Sequence, residues 1–271
     1  MVDQTSLAPL RDLLERGDGA DRAYVDAMIR MGWARTTDPA ERASLVSLHD
    51  ALLHVARLRH EPLRAQISAS ALRGPALRAH FDAVRSEARD HYVEEVLGIA
   101  YPPLEEHPPS EPELVAYQPS GYDEIVHAFD ASALAPGDRF VDLGSGLGKA
   151  VLLAALLAGV GAVGVERDVE LHRLADRAAR DLGLGVDRAR FEAGDARTAT
   201  IADADVYFMY LPFTGAVLAQ VMDRLVDRLR QSRPRARRRF VCGGALAEGR
   251  YPELVVAGPP RSWLHVYAWS G

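Results

Sequence analysis

The densest chemical signal in the sequence is a glycine-rich turn. Residues 140–149 read FVDLGSGLGK, an apolar and β-branched run that ends at Asp142 and is followed by glycines at positions 144, 146 and 148. Glycine allows positive φ angles and lets the backbone approach a ligand with no Cβ atom in the way. In parallel sheets the ligand-binding crevice lies at the carboxyl ends of the strands. The turn therefore predicts a site for a nucleotide-like cofactor.

Three kinds of cofactor compete for such a turn. The dinucleotide fingerprint GxGxxG requires a glycine where Lys149 stands, and the P-loop GxxxxGK[ST] requires a glycine at Leu143 and a hydroxyl at Ala150. Neither pattern is met. Asp142 places a carboxylate beside the turn, which disfavours a diphosphate and favours a positively charged ligand. S-adenosylmethionine, which carries a sulfonium and an ammonium group, fits this arrangement.

Two sequence patterns suggest how the turn is positioned. Over residues 1–100 the apolar residues recur at helical spacing, which predicts an all-helical N-terminal domain. Prolines and glutamates crowd residues 101–121, which we expect to form a linker and a loop that closes over the cofactor. From 122 to 271 strand-like and helix-like segments alternate, as in a doubly wound parallel sheet. The last two strand-like segments are joined by a turn too short for a crossover helix, so the final strand is predicted to be antiparallel.

Local signals predict where several helices begin and which faces they bury. Asp38 followed by Pro39 marks a helix start. Within that helix a stripe of apolar residues spaced three and four apart, ending at Leu58, is predicted to face the core. A second long helix is predicted from Pro75 to Leu97. A helix after residue 121 is predicted to be capped by Ser120.

Composition and charge narrow the class of protein. The chain of 271 residues has a formal net charge of −6, unlike the basic field of a nucleic-acid-binding surface, so no nucleic-acid partner is expected. Its single cysteine, Cys242, forms no intramolecular disulfide, and no HExxH or similar metal motif occurs. The first twenty residues lack the apolar stretch of a signal peptide, so a cytoplasmic location is predicted. The uncharged run 150–165 falls short of the roughly 18 residues of a membrane span, so no membrane association is expected.

The region from about residue 117 to 246 resembles the class I S-adenosylmethionine-dependent methyltransferases. FVDLGSGLGK followed by GAVGVE is similar in particular to the histone-lysine methyltransferases that lack a SET domain, and to their bacterial relatives. The resemblance implies an α/β, Rossmann-like fold with a seven-stranded, mostly parallel sheet and an antiparallel last strand. It also implies methyl transfer from S-adenosylmethionine, with S-adenosylhomocysteine as the product. The acceptor, a small molecule or a protein side chain, and the oligomeric state stay open, and the acidic net charge does not support a histone substrate.

The resemblance implies roles for individual residues. The glycine turn would line the methionine part of the cofactor, Glu166 would accept hydrogen bonds from the ribose hydroxyls, and AGDA at 193–196 would face the adenine. YQPSGY at 117–122 is similar to the loop that closes over the cofactor in the non-SET enzymes. The implied cofactor contacts are Tyr117, Gln118, Asp142, Gly144, Ser145, Gly146, Gly148, Glu166, Arg167, Asp195, Ala196 and Tyr210.

The acceptor side departs from the family pattern. Amine- and amide-directed relatives end the fourth strand in a motif like NPPY, in which an Asn or Asp accepts hydrogen bonds from the nitrogen that is methylated. The matching segment here is YLPF at 210–213, and the chain contains no asparagine, which puts that device in doubt. Tyr210, Tyr117 and Glu124 are the candidate catalytic residues. Two alternatives stay open: a non-catalytic protein that binds S-adenosylmethionine, and an NAD(P)-dependent oxidoreductase.

Overall fold

Among the described residues, the C-terminal half is built on a sheet of seven strands. The structure, a computed structural model, describes residues 4–17, 19–99, 111–115, 117–232, 237–247, 249–258 and 263–271. The strands are β1 (Arg139–Leu143), β2 (Gly161–Glu166), β3 (Ala189–Ala193), β4 (Val206–Met209), β5 (Arg239–Gly243), β6 (Leu254–Val256) and β7 (Leu264–Trp269).

Helices cover both faces of the sheet and form the N-terminal half. In chain order they are α1 (Gln4–Arg16), α2 (Gly19–Arg35), α3 (Pro39–Ser68), α4 (Gly74–Asp82), α5 (Ser86–Leu97), α6 (Tyr122–Ala131), α7 (Lys149–Leu153), α8 (Val169–Asp181) and α9 (Gly215–Arg230). α7 continues as one π-helical turn, Ala154–Ala158. α3 begins where the sequence predicts, because Asp38 accepts a hydrogen bond from the backbone N–H of Ala40.

The strand order, β3-β2-β1-β4-β5-β7-β6, places the glycine turn at the centre of the sheet. β1 pairs in parallel with β2 on one side and with β4 on the other. The direction of strand succession therefore reverses beside β1, which is where open α/β sheets form their ligand-binding crevice. β7 runs antiparallel to both β5 and β6. The predicted α/β fold, with a mostly parallel seven-stranded sheet, an antiparallel last strand and preceding helices, is confirmed.

Part of the helical half shares its core with the sheet. Phe81 of α4 and Val96 of α5 are fully buried in the same apolar cluster as Phe140 of β1. α1, α2 and the first half of α3 pack into a separate apolar cluster that includes Ile29 and Leu48. The predicted division of the chain at residue 100 remains a prediction, and residues 101–110 of the predicted linker lie outside the described residues.

The prediction of one helix from Pro75 to Leu97 is wrong, because the chain breaks between α4 and α5. Arg89 stabilises the break by donating hydrogen bonds to the backbone carbonyls of Asp82 and Val84, which the break frees from the helical ladder. The break turns α5 so that Asp90 and Glu94 contact α7. A tertiary contact of this kind leaves no trace in the local sequence.

Two smaller predictions about the helices are also wrong. The residue before α6 is Gly121, and Ser120 does not cap the helix. Instead, the backbone N–H of Tyr122 donates to the carboxylate of Asp90 at 2.6 Å, so the cap comes from α5. Leu58, expected to face the core, is 61% exposed, because the buried face of α3 continues through Ala56, His60 and Arg64 and Leu58 lies outside it.

The sole lysine of the chain ties α7 to the helical half. Lys149 is 4% exposed, and its Nζ lies 2.6 Å from Asp90 and 2.9 Å from Glu94.

Replacing Lys149 with methionine is expected to lower the free energy of unfolding by about 1–3 kcal/mol, because both carboxylates lose their partner but are exposed enough to hydrate. Urea unfolding measures the change. Arg180→Met, which breaks an exposed pair with Asp176 on α8, is the control and is expected to cost less than about 1 kcal/mol; equal losses would contradict the structural role of Lys149.

Candidate functional site

A cavity of about 500 Å³ opens at the carboxyl ends of β1, β2, β3 and β4. This volume lies within the range of small-molecule and cofactor sites. We refer to it as the central cavity. Its walls come from the loops after these strands and from the segment before α6: Leu114, Val115, Tyr117, Gln118, Gly144, Val165, Glu166, Arg167, Asp168, Leu171, Gly194, Asp195, Ala196, Tyr210, Leu211, Pro212, Phe213, Val217 and Trp263.

The glycine turn folds back so that other segments can pack directly on its backbone. Gly144 and Gly146 adopt φ angles of 81° and 53°, the left-handed region that favours glycine. A Cβ atom on Gly144 would lie 2.2 Å from Pro212, and one on Gly146 would lie 2.0 Å from the ring of Tyr117. The turn is thus covered by Pro212 after β4 and by Tyr117, two elements far away in sequence.

Glu166, the last residue of β2, connects the turn to the central cavity. Its carboxylate accepts hydrogen bonds from the backbone N–H of Gly146 at 2.7 Å and from that of Asp168 at 2.8 Å. Burial raises the pKa of Glu166, and the hydrogen bonds from Asp168 and Gly146 oppose this shift. Each carboxylate oxygen keeps acceptor capacity for a further donor, as the predicted contact with two ribose hydroxyls requires.

Asp142 lies beneath the turn, 4% exposed, and does not line the central cavity. Burial first, and the nearby charge of Glu166 second, raise the pKa of Asp142 well above its ordinary value. Among the described residues no group donates a hydrogen bond to this carboxylate. A positive charge bound above the turn would favour its ionised form, so the site is better suited to a cation than to an anion.

This arrangement predicts that S-adenosylmethionine binding weakens as the pH falls. In the free protein the raised pKa keeps Asp142 protonated above the usual carboxyl range, and binding of a cation releases the proton. Affinity is therefore expected to fall by up to about tenfold per pH unit below the raised pKa. The pKa of Asp142 is raised only in the folded state. The free protein is therefore expected to lose stability as the pH rises from the ordinary carboxyl pKa of the unfolded chain through the raised pKa.

Calorimetry in buffers of different ionisation enthalpy measures this proton release. Asp142→Asn is expected to release less proton on binding and to bind with a flatter pH profile. Asp187→Asn, which changes an exposed carboxylate on the loop before β3, is the control and should behave like the unaltered protein. Proton release that is unchanged in Asp142→Asn would rule out this role of the carboxylate.

The residues present fit S-adenosylmethionine. The turn offers a backbone free of Cβ atoms, a buried carboxylate lies below it, and Glu166 stands at the adjoining strand end. The Oγ atom of Ser145 is buried and has no hydrogen-bond partner among the described residues, so a polar donor or acceptor is available within the turn. These residues would hold the sulfonium, ammonium and ribose groups.

The predicted adenine end is held by a network of charged side chains. Asp195 and Ala196 both line the central cavity. Arg197 binds Asp195 at 2.6 Å and Glu111 at 2.8 Å, and its hydrogen bonds lower the pKa of Asp195. This pairing fixes the loop after β3 against the segment 111–115.

Segment 111–115 forms one wall of the central cavity by pairing with the loop after β4. Leu114 forms an antiparallel bridge with Phe213, and the N–H of Val115 donates to the carbonyl of Pro212 at 3.2 Å. The carboxylate of Glu113 accepts a hydrogen bond from the N–H of Val217 at 3.1 Å. Glu113 thereby caps α9. The N-cap residue of α9, Thr214, makes no side-chain capping hydrogen bond of its own.

Aromatic side chains from the loops after β4 and before β7 form another wall of the central cavity. The ring centroids of Tyr210 and Trp263 lie 4.2 Å apart in an edge-to-face arrangement. Leu211 adopts a φ of 52°, a strained conformation for a residue with a Cβ atom, between this pair and the bridge at Phe213. The segment YLPF is therefore held in a special backbone conformation at the site, although it lacks the asparagine of related motifs.

The structure brings most of the predicted site residues together. Eight of them line the central cavity: Tyr117, Gln118, Gly144, Glu166, Arg167, Asp195, Ala196 and Tyr210. Four others lie in or below the glycine turn and do not line the central cavity: Asp142, Ser145, Gly146 and Gly148. Glu124, a predicted catalytic residue, also does not line the central cavity; it lies beside Gly121, and its charge acts on Tyr210. The roles assigned to these residues remain predictions.

Sequence reasoning missed Trp263 and the apolar wall of segment 111–115. Trp263 stands before β7, 53 residues after Tyr210, and packs on the bare backbone of Gly243, where a Cβ atom would lie 2.1 Å from its ring. No spacing rule joins such distant residues. The glycine pair at 243–244 at the end of β5 was the one available signal, because glycine in a strand marks close approach of another group.

The fold and the site together define a class I S-adenosylmethionine-dependent methyltransferase, with S-adenosylmethionine as its cofactor. Residues 116–231, under half of the chain, match the family model described as "Histone methylation protein DOT1". The predicted likeness to the non-SET enzymes is confirmed by this match. No curated protein matches the sequence.

Solved structures with a similar fold include three bound to S-adenosyl compounds. An RNA methyltransferase from Salinibacter ruber is 26% identical over 56% of this chain and 92% of that chain, with a TM-score of 0.45. A methyltransferase from Thiobacillus denitrificans is 22% identical over 46% of this chain and 49% of that chain, with a TM-score of 0.36. A mutant of MtNAS is 12% identical over 97% of this chain and 95% of that chain, with a TM-score of 0.44.

The described residues offer neither a metal site nor a membrane-spanning helix. No group of three or more His, Cys, Asp or Glu side chains in the described ranges is arranged to hold a metal ion. None of the described helices has both the length and the apolar character needed to cross a membrane.

Proposed function

We propose that this methyltransferase acts on the nitrogen of an amine that enters the central cavity beside Tyr210. The observation that carries the proposal is the environment of the Tyr210 phenol. Its pKa is raised to about 12 by burial, then by the charges of Glu124 and Asp90, while a backbone hydrogen bond from Gly121 opposes the shift. At neutral pH the phenol is therefore protonated and lies in a negative potential.

A negative potential next to aromatic rings favours a cationic acceptor. An ammonium group gains from the nearby charge of Glu124 and from the rings of Tyr210 and Trp263. Asp90 contributes less, because it is already paired with Lys149. A carboxylate acceptor would be repelled by the charge of Glu124. These groups supply the selectivity that an asparagine supplies in related motifs, and the chain contains no asparagine.

The chain aligns the acceptor with the methyl group, excludes water from the site and provides a path for one proton. S-adenosylmethionine, when bound, would supply a methyl carbon that the acceptor lone pair attacks in line, with S-adenosylhomocysteine leaving as the carbon–sulfur bond breaks. Pro212 and Phe213 exclude water from the wall at which the acceptor lies. Before attack an ammonium acceptor must lose a proton, and in this proposal Glu124, whose charge acts on Tyr210, takes it through the phenol or through water. Correct positioning alone contributes up to about 7–11 kcal/mol to such a reaction.

The test is the chemistry of the methylated product. The full chain is incubated with S-adenosylmethionine labelled in its methyl group and with the small-molecule and protein fractions of a cell extract. We expect label that survives mild alkali and that mass spectrometry places on nitrogen. Label released by alkali as methanol would show carboxyl methylation and would contradict the proposal, as would label on carbon or oxygen.

Tyr210→Phe tests the contribution of the phenol. It is expected to lower kcat by about tenfold to a hundredfold, within the range of acid–base contributions, and to leave the affinity for S-adenosylmethionine unchanged. Tyr251→Phe, which removes a phenol bonded to Asp223 away from the central cavity, is the matched control and should keep full activity. Equal activity of the two variants would exclude a role for the Tyr210 hydroxyl.

A further inference from the structure

A second, smaller cavity lies between the helical half and the back of the glycine turn. It has a volume of about 200 Å³ and is lined by residues of α2, α3, α5 and α8. Leu147 of the turn and Tyr117 form part of its wall, and Tyr117 also lines the central cavity. We propose that this second cavity binds a small organic acid, with its anionic group held by arginines at the rim and a short apolar body inside. The site is distinct from the methyl-transfer site and goes beyond the proposed function.

The acidic side chains inside the second cavity are already neutralised by partners within the protein. Asp26 pairs with Arg30 at 2.7 Å. Glu94 pairs with Lys149 at 2.9 Å. Glu95 accepts from Arg22 at 2.7 Å, and although burial opposes the shift, hydrogen bonds from Arg22, His60 and His91 hold the pKa of Glu95 far below its ordinary value. These carboxylates therefore need no cationic ligand to balance their charge.

The cationic side chains are in excess. Arg57 of α3 and Arg177 of α8 are exposed at the rim and form no ion pair with a described residue. Arg64 is 6% exposed and donates to the backbone carbonyl of Val96 at 2.6 Å, which leaves its charge without a carboxylate in contact. Asp181 is the one carboxylate on the described walls that has no ion-pair partner. Three guanidinium groups around one free carboxylate make a site for an anion.

A buried histidine supplies independent evidence for a ligand. His49 is 3% exposed and lines the second cavity, and its Nδ1 atom has no hydrogen-bond partner among the described residues. A buried polar atom left unpaired destabilises the protein, so a ligand that bonds to His49 regains that loss. Burial lowers the pKa of His49, which keeps the imidazole neutral and able to bond to a polar group of the ligand.

The remaining walls fit a short apolar body. Leu52, Leu53, Ala56 and Ile99 line one side, and Leu147 lines the side next to the glycine turn. Inorganic phosphate would leave these walls without a contact, whereas the methylene groups of a short dicarboxylic acid would cover them and its second carboxylate would reach Arg64. We therefore expect an organic acid to bind more tightly than phosphate.

The experiment is calorimetric titration of the full chain with succinate and, separately, with inorganic phosphate at constant ionic strength. We expect saturable binding of succinate to one site, tighter than that of phosphate. Arg57→Gln and Arg177→Gln are each expected to weaken succinate binding by at least about tenfold, because each removes a charge-assisted contact. Both side chains are exposed, and the thermal midpoint of each variant verifies that it is folded.

Matched controls separate this site from general attraction between charges. Arg59→Gln on α3 and Arg173→Gln on α8 remove exposed arginines that do not line the second cavity, and they should leave succinate binding unchanged. The proposal is overturned if succinate gives no saturable binding, or if all four variants weaken binding equally. Phosphate that binds as tightly as succinate would refute the apolar part of the site. S-adenosylmethionine binding and methyl transfer are measured in separate experiments. The proposal of an organic-acid site and the proposed methyl transfer can therefore fail independently of each other.

Discussion

Replacing Glu166 with alanine is expected to reduce the affinity for S-adenosylmethionine by about tenfold to a hundredfold. The loss corresponds to about 1.5–3 kcal/mol, the range for hydrogen bonds to a charged group. Two effects act in the same direction. The ribose hydroxyls lose their predicted acceptor, and the backbone N–H of Gly146 loses the carboxylate that it contacts at 2.7 Å. Calorimetric titration of the variant measures the change.

Two further variants identify the cause of that loss. Glu166→Gln keeps one acceptor oxygen and should fall between alanine and the unaltered protein. Glu192→Ala removes a carboxylate from the neighbouring strand β3, where it pairs with Arg190 at 2.8 Å and does not line the central cavity. It is expected to leave the affinity unchanged. Affinity of Glu166→Ala within error of the unaltered protein would refute the ribose role.

Gly146→Ala is expected to weaken S-adenosylmethionine binding by about tenfold to a hundredfold as well. The new Cβ atom would lie 2.0 Å from the ring of Tyr117, so Tyr117 must leave its place over the turn. The φ of 53° also strains alanine by about 1–2 kcal/mol. Both effects disturb the surface on which the methionine part of the cofactor is predicted to lie.

Gly159→Ala is the matched control for backbone strain. Gly159 has a φ of 69°, and a Cβ atom placed there would meet no other atom within 4 Å. This variant should therefore unfold at a lower urea concentration but bind the cofactor normally. If Gly159→Ala and Gly146→Ala impaired binding equally, the effect would come from stability and not from the turn.

The parallel sheet and its antiparallel last strand could be predicted because they follow from short-range patterns. Alternating helical and strand-like segments imply a parallel sheet, and the short connection before β7 implies an antiparallel end. The glycine turn and Glu166 could be placed for the same reason. The turn and the acid each follow directly after a strand, and parallel strands bring such residues to one edge.

Features that depend on contacts across the chain could not be predicted. The break between α4 and α5 is stabilised by Arg89, and α6 is capped by Asp90 from another helix. In the sequence Lys149 is only the residue that breaks the dinucleotide motif, whereas the structure shows it buried between Asp90 and Glu94. In each case the partner is distant in sequence and no local spacing records the contact.

The acceptor wall shows the same limit within the site. Tyr210 could be predicted because it follows β4 directly, but Trp263, which packs against it, comes from the loop before β7. Glu124 does not line the central cavity, but its charge acts on Tyr210, and its catalytic role stays a prediction. Which side chains from separate elements meet is decided by the tertiary packing of the sheet edge.

Calorimetric titration of the full chain with S-adenosylmethionine, in parallel with NADH, tests the central claim most directly. The account predicts saturable binding of S-adenosylmethionine at one site, competition by S-adenosylhomocysteine, and no binding of the dinucleotide. Tight binding of NADH that displaces S-adenosylmethionine, or the absence of any S-adenosylmethionine binding, would contradict it.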